Sequence, residues 1–202
     1  MTEESKLFLM PTQQLSRLID ILTTERLLLL IVFTLLVITI PSYEPDVLLH
    51  LTTGRYVLDT GALPHTDIFS FTRFGEPWIM HEWLYQIIIY LVHEAVGITG
   101  IQIISAAILT AVIYLNKQNC RLIGASDVTA WTSTILLFTT WIFFVSNRPH
   151  IFTYLFVTLI LHFFLRHRYK DEVKPLYVIP VTMILWVNIH GAYILGIVLL
   201  DA

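Results

Sequence analysis

Glu44 and Asp46 in SYEPD, and Arg148 with His150 in SNRPHIF, place carboxylates and a guanidinium directly beside apolar sequence. A carboxylate set where an apolar helix emerges from a membrane can act as a base or a metal ligand at that surface. An arginine between two apolar runs is costly unless it meets an anion, and a lipid phosphate is its natural partner. Pro149 suits a first helical turn, so it fixes the start of the next helix and holds Arg148 and His150 close together. Simpler roles fit the same residues: acids favour the positive end of a helix dipole, and a long arginine snorkels toward headgroups. The residues alone leave both readings open.

Further polar residues gather between these two segments and after them. His50 follows Asp46 by four positions, which puts both on one helical face. His65 and Asp67 lie in PHTDIFSFT, where an aspartate also suits a turn and the aromatic residues suit an interfacial belt. His81 and Glu82 open HEWLY, which invites comparison with the zinc-protease motif HExxH. Tyr85 occupies the second ligand position, so that metal site is rejected and Glu82 remains a cap or a second carboxylate. Asn188 and His190 in WVNIHG stand at the outer end of a helix. A lone histidine there is more often a satisfied helix-end residue than a ligand, and its weight comes from convergence with the others.

These residues need elements to hold them. With mean hydropathy +0.73 and only 13% charged residues, the 202-residue chain arranges its apolar residues in long uncharged runs, the pattern of a polytopic, all-α membrane protein. LLLLIVFTLLVITIP, over 27–41, carries no charge. No small-residue cleavage site follows it, which favours a retained anchor over a signal peptide. Apolar runs predict helices near 27–41, 83–96, 98–116, 128–146, 150–165 and 175–190, with a last one starting at Gly191. Between Pro45 and Gly61, residues 46–59 read as a helix, and the segment from Pro64 to the HEWLY turn as extended and turn-rich. The whole of 1–202 reads as one transmembrane domain that breaks off inside its last helix at IVLLDA.

Charge orders these runs. Lys6, Arg17 and Arg26 precede the first helix, Lys117 and Arg121 follow the third run, and RHRYKDEVK separates the fifth from the sixth. Cytoplasmic loops of membrane proteins are enriched in Lys and Arg, so all three basic segments belong on one side. That holds only if WLYQIIIYLVHEAVG, short and carrying His93 and Glu94, does not cross and lies in the interface. Residues 1–26 are then cytoplasmic and 42–97 form an extracytoplasmic first loop. His50, His65, His81, His93, His150 and His190 share the outer side, leaving His162 and His167 inside.

Several functions are excluded. Cys120 is alone, so no internal disulfide forms. There is neither a GxGxxG turn nor a GxxxxGK[ST] loop, and no basic stripe for nucleic acid. Transporters place ionisable residues near the bilayer midplane, whereas these mid-helix positions are nearly all apolar. A non-catalytic role in transport, or in binding polysaccharide or another subunit during envelope assembly, stands as the alternative.

The order ExD, HLxTGRYVLxTGxLPHTDxFSFT, GEPWxxHEWL, NRPH and WxNxHG resembles a family of bacterial polytopic membrane proteins related to the GT-C glycosyltransferases, over nearly all of the chain. The resemblance implies an inner-membrane protein with a large extracytoplasmic first loop bearing membrane-parallel helices above a transmembrane bundle. It implies transfer of a sugar from a polyprenyl-phosphate-linked donor to an unidentified acceptor. Asp46 with Glu44 would be the acidic motif, here Glu-Pro-Asp, and Asp46 the position open to a divalent ion such as Mg or Mn. Arg148 and His150 would hold the lipid phosphate. His50, Arg55, His65, Asp67, His81, Glu82, Asn188 and His190 fall in the shared motifs as substrate-binding candidates.

Overall fold

The computed structural model describes residues 12–41, 44–141 and 146–201. Lys6 and residues 142–145, where the helix expected over 128–146 ends, lie outside the described residues. Eight α-helices are described: α1 Thr12–Thr39, α2 Pro45–Thr60, α3 Trp83–Val96, α4 Ile98–Leu122, α5 Asp127–Trp141, α6 His150–Lys170, α7 Ile179–Ile189 and α8 Ile194–Asp201. Short 3-10 turns at Lys174–Val178 and Gly191–Tyr193 lead into α7 and α8. Among the described residues there is no β-strand, and the segment between α2 and α3 forms one isolated antiparallel bridge between Thr66 and Pro77.

The all-α expectation holds, with boundaries moved: the helices expected from 175 and from Gly191 begin as 3-10 turns and become α-helical at Ile179 and Ile194, and three other ends shift further. α1 begins at Thr12 and not near residue 27. The polar lead contains no Gly or Pro between the two, and Leu15, Leu18, Ile19 and Leu22 recur at helical spacing. α4 continues past residue 116 to Leu122 because its polar last turns find partners: Lys117 is 1% exposed and its Nζ lies 2.7 Å from Glu25 Oε2. Lys117 is therefore a buried helix residue and not part of a loop, as the charge count had treated it. α6 runs on to Lys170, its basic last turn sitting at the negative end of the helix dipole.

α4 and α6 are long and apolar enough to cross a membrane. They belong to both apolar clusters of the interior. Val47, Tyr85, Ile89, Ile101, Phe156, Ile160 and Trp186 join α2, α3, α4, α6 and α7, while Leu36, Ile40, Ala106, Leu109 and Ile151 join α1, α4 and α6. Apolar residues also cover much of the outer surface, for example Leu30, Ile31, Leu35 and Ile38 on α1 and Val181 and Ile184 on α7.

Contacts fix which ends meet. Gln102 near the start of α4 donates to the Ile40 carbonyl at 2.8 Å, whereas Lys117 near its end meets Glu25, so α1 and α4 are antiparallel. The 15 residues from Gln102 to Lys117 span about 22 Å at 1.5 Å per residue. Arg26, Lys117 and Arg121 thus share one end of the bundle. His162 on α6 joins them, its Nδ1 2.8 Å from Asn119 Oδ1.

α3 behaves differently from the other long apolar runs. Tyr85 near its start donates to the Asn147 carbonyl at 2.7 Å, close to Pro41, and its last residue hands over through Gly97 to the start of α4. Both ends of α3 therefore lie at the end of the bundle opposite Lys117, and the helix does not traverse it. Gly97 makes the reversal at φ 74°, a conformation that side chains disfavour. α3 packs on α2 at close range, because a Cβ added at Gly54 would stand 2.2 Å from the Gln86 carbonyl oxygen.

Candidate functional site

At that opposite end, α2 starts where the sequence marks it. Pro45 occupies the first turn and Glu44 the N-cap, in extended conformation at φ -132° and ψ 148°. Glu44 makes no side-chain capping bond. Its Oε2 instead accepts from Arg148 Nε at 2.8 Å, and Asp46 Oδ2 lies 3.3 Å from the same nitrogen. The hydrogen bond to Glu44, with the charge of Asp46 adding, raises the already high pKa of Arg148 further. The two acids differ in access: the Glu44 side chain is 13% exposed and that of Asp46 49%.

Arg148 is anchored from behind by its neighbour. Asn147 is fully buried; its Nδ2 donates to the Pro41 carbonyl at 2.7 Å, and its own carbonyl accepts from Tyr85. This ties the Arg148 backbone to the end of α1 and the start of α3. The guanidinium thus has its Nε edge occupied by two carboxylates, while among the described residues its terminal Nη nitrogens donate no hydrogen bond. The side chain is 45% exposed. A guanidinium held this way presents a planar fork to an incoming anion.

Deeper in the same site Glu82 stands between two imidazoles. Its Oε2 lies 3.9 Å from His50 Nε2 and its Oε1 3.8 Å from His190 Nε2. Both rings are fixed from their other nitrogen. Trp186 Nε1 donates to Thr153 Oγ1 at 3.1 Å, and the same hydroxyl lies 2.8 Å from His190 Nδ1. Gln86 Nε2 lies 3.3 Å from His50 Nδ1. With Nδ1 facing the Gln86 amide donor, the neutral His50 ring carries its proton on Nε2, toward Glu82.

Electrostatics keep the rings neutral. Burial lowers the His50 pKa to about 4, the Asp46 charge opposing and Arg148 adding to the effect. Burial, then the nearby His150, lowers His190. Burial and then the Asp46 charge raise Glu82 above the usual carboxylate range. At neutral pH these contacts of Glu82 with the two rings are therefore not ion pairs.

Of the residues singled out in the sequence, Glu44, Asp46, His50, Glu82, Arg148, His150 and His190 come together here. His150 packs edge-on against Tyr154 at 5.4 Å. Asn188 contributes a tie, accepting from Trp83 Nε1 at 2.9 Å. Arg55 does not join them: it faces outward and pairs with Asp59 at 3.4 Å. Asp67 caps its own turn, accepting from the Phe69 and Ser70 amides and the Ser70 hydroxyl, which lowers its pKa. His65 and His81 are exposed, and the His65 backbone carbonyl accepts from the Trp78 amide. Among the described residues no group of three or more His, Cys, Asp or Glu is arranged to hold a metal ion.

Gln86, Asn147, Thr153 and Trp186, which the sequence did not single out, and Tyr85, which it marked only as a missing zinc ligand, hold the site residues in place. Gln86 carried a usable signal, being a lone amide in the apolar run WLYQIIIYLV. Two of these amides have an oxygen, Gln86 Oε1 and Asn147 Oδ1, that is buried without a hydrogen-bond partner among the described residues. No protein-family model, no curated protein and no solved structure matches this chain.

Proposed function

We propose that this chain is a multi-pass protein of the bacterial inner membrane, N-terminus cytoplasmic, related to the GT-C glycosyltransferases, whose outward-facing site transfers a sugar from a polyprenyl-phosphate-linked donor to an extracytoplasmic acceptor. The observation that carries this reading is Arg148, fixed by two carboxylates through Nε and open at its terminal nitrogens to an anion. Its position beside the ends of helices long and apolar enough to span a membrane supports a lipid-borne phosphate as that anion. The broad exposed apolar surface and the basic residues sharing the opposite end support the membrane placement.

The two acids take different parts. Glu44, less exposed and at 2.8 Å, anchors Arg148; Asp46, half exposed and at 3.3 Å, is the base. Asp46 accepts the proton of the acceptor hydroxyl, whose oxygen attacks the anomeric carbon. The bond from that carbon to the lipid phosphate breaks, the phosphate leaves with the electron pair, and Arg148 with His150 neutralises it, with inversion at carbon. A divalent cation, Mg or Mn, would add to that neutralisation if Asp46 held it.

Asp46→Asn in the full-length protein, assayed with a panel of polyprenyl-linked sugars, should reduce transfer about 10²- to 10⁴-fold, the usual contribution of a positioned base. Normal transfer by that variant removes Asp46 from the mechanism. Wild-type protein that binds the sugar-lipid without any turnover assigns the site to the non-catalytic alternative.

A further inference from the structure

At the end of the bundle opposite Arg148, a groove of about 300 Å³ opens between α4 and α6. We infer that it is a binding site for the headgroup of an anionic phospholipid, a phosphodiester bearing a free hydroxyl. The inference rests on the membrane placement proposed above but not on glycosyl transfer.

The groove is built as an amphiphile would require. Tyr114 and Leu115 of α4 form its apolar part, and Gln118, one turn further along the same face, begins the polar part. Arg166 and Lys170 line it from the last turns of α6 and are likewise four residues apart on one face. Among the described residues α4 and α6 are the helices long and apolar enough to span a bilayer, so the polar part lies where their apolar stretches run out, at headgroup level. Basic pockets between membrane helices on the cytoplasmic side are a recurrent mode of anionic headgroup binding.

Charge and hydrogen-bonding capacity narrow the ligand. Arg166 is paired with Glu172, which also lines the groove, so two cations and one carboxylate leave one positive charge for one phosphodiester. Asn119 Nδ2 donates to the Thr158 carbonyl at 3.3 Å, which makes its Oδ1 the acceptor for His162 Nδ1–H at 2.8 Å. The remaining ring nitrogen of neutral His162 is then an acceptor, suited to a headgroup hydroxyl such as that of a glycerol. A groove of about 300 Å³ accommodates a phosphate and a glycerol together.

The test is native mass spectrometry of the full chain in detergent, titrated with phosphatidylglycerol or phosphatidylcholine. Retention of phosphatidylglycerol should exceed that of phosphatidylcholine roughly tenfold, and R166Q/K170Q should remove the difference. R55Q/R73Q, which removes the same charge from exposed positions at the other end, should leave the preference intact, and circular dichroism should give equal helicity for both variants. Equal retention of the two lipids by wild type, or a preference that survives R166Q/K170Q or disappears in R55Q/R73Q, overturns the proposal. Competition by free glycerol phosphate as effective as by phosphatidylglycerol itself assigns the groove to a soluble phosphate and overturns the lipid. None of these outcomes depends on sugar transfer, so failure here leaves the Asp46 experiment untouched.

Discussion

Two clusters of opposite charge stand near the two ends of α4, and they solve the same electrostatic problem under different access to solvent. At one end Arg148, 45% exposed, meets Glu44 and Asp46. At the other Lys117, 1% exposed, meets Glu25 Oε2 at 2.7 Å, with Asp127 at 3.8 Å and the Trp131 ring 5.0 Å from its Nζ. Each joins elements far apart in sequence. In the closed cluster the Lys117–Glu25 pair is shut off from solvent, and its attraction acts where burial weakens screening, so its role is to lock α1, α4 and α5 together. The open cluster contributes little to stability because water competes for its charges, and for the same reason it stays available to an outside anion.

The largest effect should come from breaking the closed pair. Lys117→Met leaves the Glu25 carboxylate buried and unpaired, a change that typically costs about 3–5 kcal/mol. Replacing both partners, as in E25L/K117M, should recover most of it, since a buried ion pair is often matched by apolar residues of similar volume. Denaturant-induced unfolding in detergent measures both. A loss under about 1 kcal/mol for the single variant would make the Lys117 cluster as weak as a surface pair and abolish the contrast.

The contrast also marks how far the sequence could be read. The limits of α2 were readable because Pro45 and Gly61 act on the backbone locally, and α3 falls on 83–96 as its apolar run predicts. Glu44, Asp46 and Arg148 were recognisable as residue types, and their meeting was an expectation from family resemblance alone. Lys117 was misread as a loop residue because its burial depends on Glu25, 92 positions away. The clamp on Glu82 was hidden for the same reason: Gln86 stood out as a lone amide in an apolar run, but Thr153 and Trp186 look like ordinary helix residues until tertiary packing brings their polar atoms to the two histidines. Periodicity reports which face of a helix is apolar, not which distant group it meets.

A somewhat smaller effect should appear on acidification. His50 titrates near 6.5 when unfolded and about 4 when folded, so between these values the unfolded chain binds a proton that the folded one refuses. Stability from the neutral ring is complete above pH 6.5 and falls as pH drops toward 4, by a total on the order of 3 kcal/mol. His190, also lowered, adds in the same direction; Glu82, raised, opposes it, because its folded form gains a proton more readily. Unfolding midpoints measured from pH 7.5 to 4 should therefore decline less steeply in His50→Gln than in wild type. An identical slope in the two proteins would place the acid sensitivity outside the open site.

The smallest expected change in stability, and the sharpest test of the open cluster, lies at Arg148. Arg148→Gln should shift unfolding by less than about 1 kcal/mol, the range of exposed ion pairs, yet weaken binding of polyprenyl phosphate at least about tenfold by removing a charge-assisted contact. Arg148→Lys separates charge from shape. A lysine can still meet Glu44, but a single ammonium cannot satisfy two carboxylates on one edge and offer a planar fork on the other. It should therefore fold like wild type and lose most of the affinity, measured by quenching of intrinsic tryptophan fluorescence on titration with polyprenyl phosphate. If Arg148→Lys binds as well as wild type, the fork is irrelevant and only positive charge matters. If Arg148→Gln instead destabilises the fold as much as Lys117→Met, the two clusters are both structural locks, and the Arg148 site loses the feature that sets it apart.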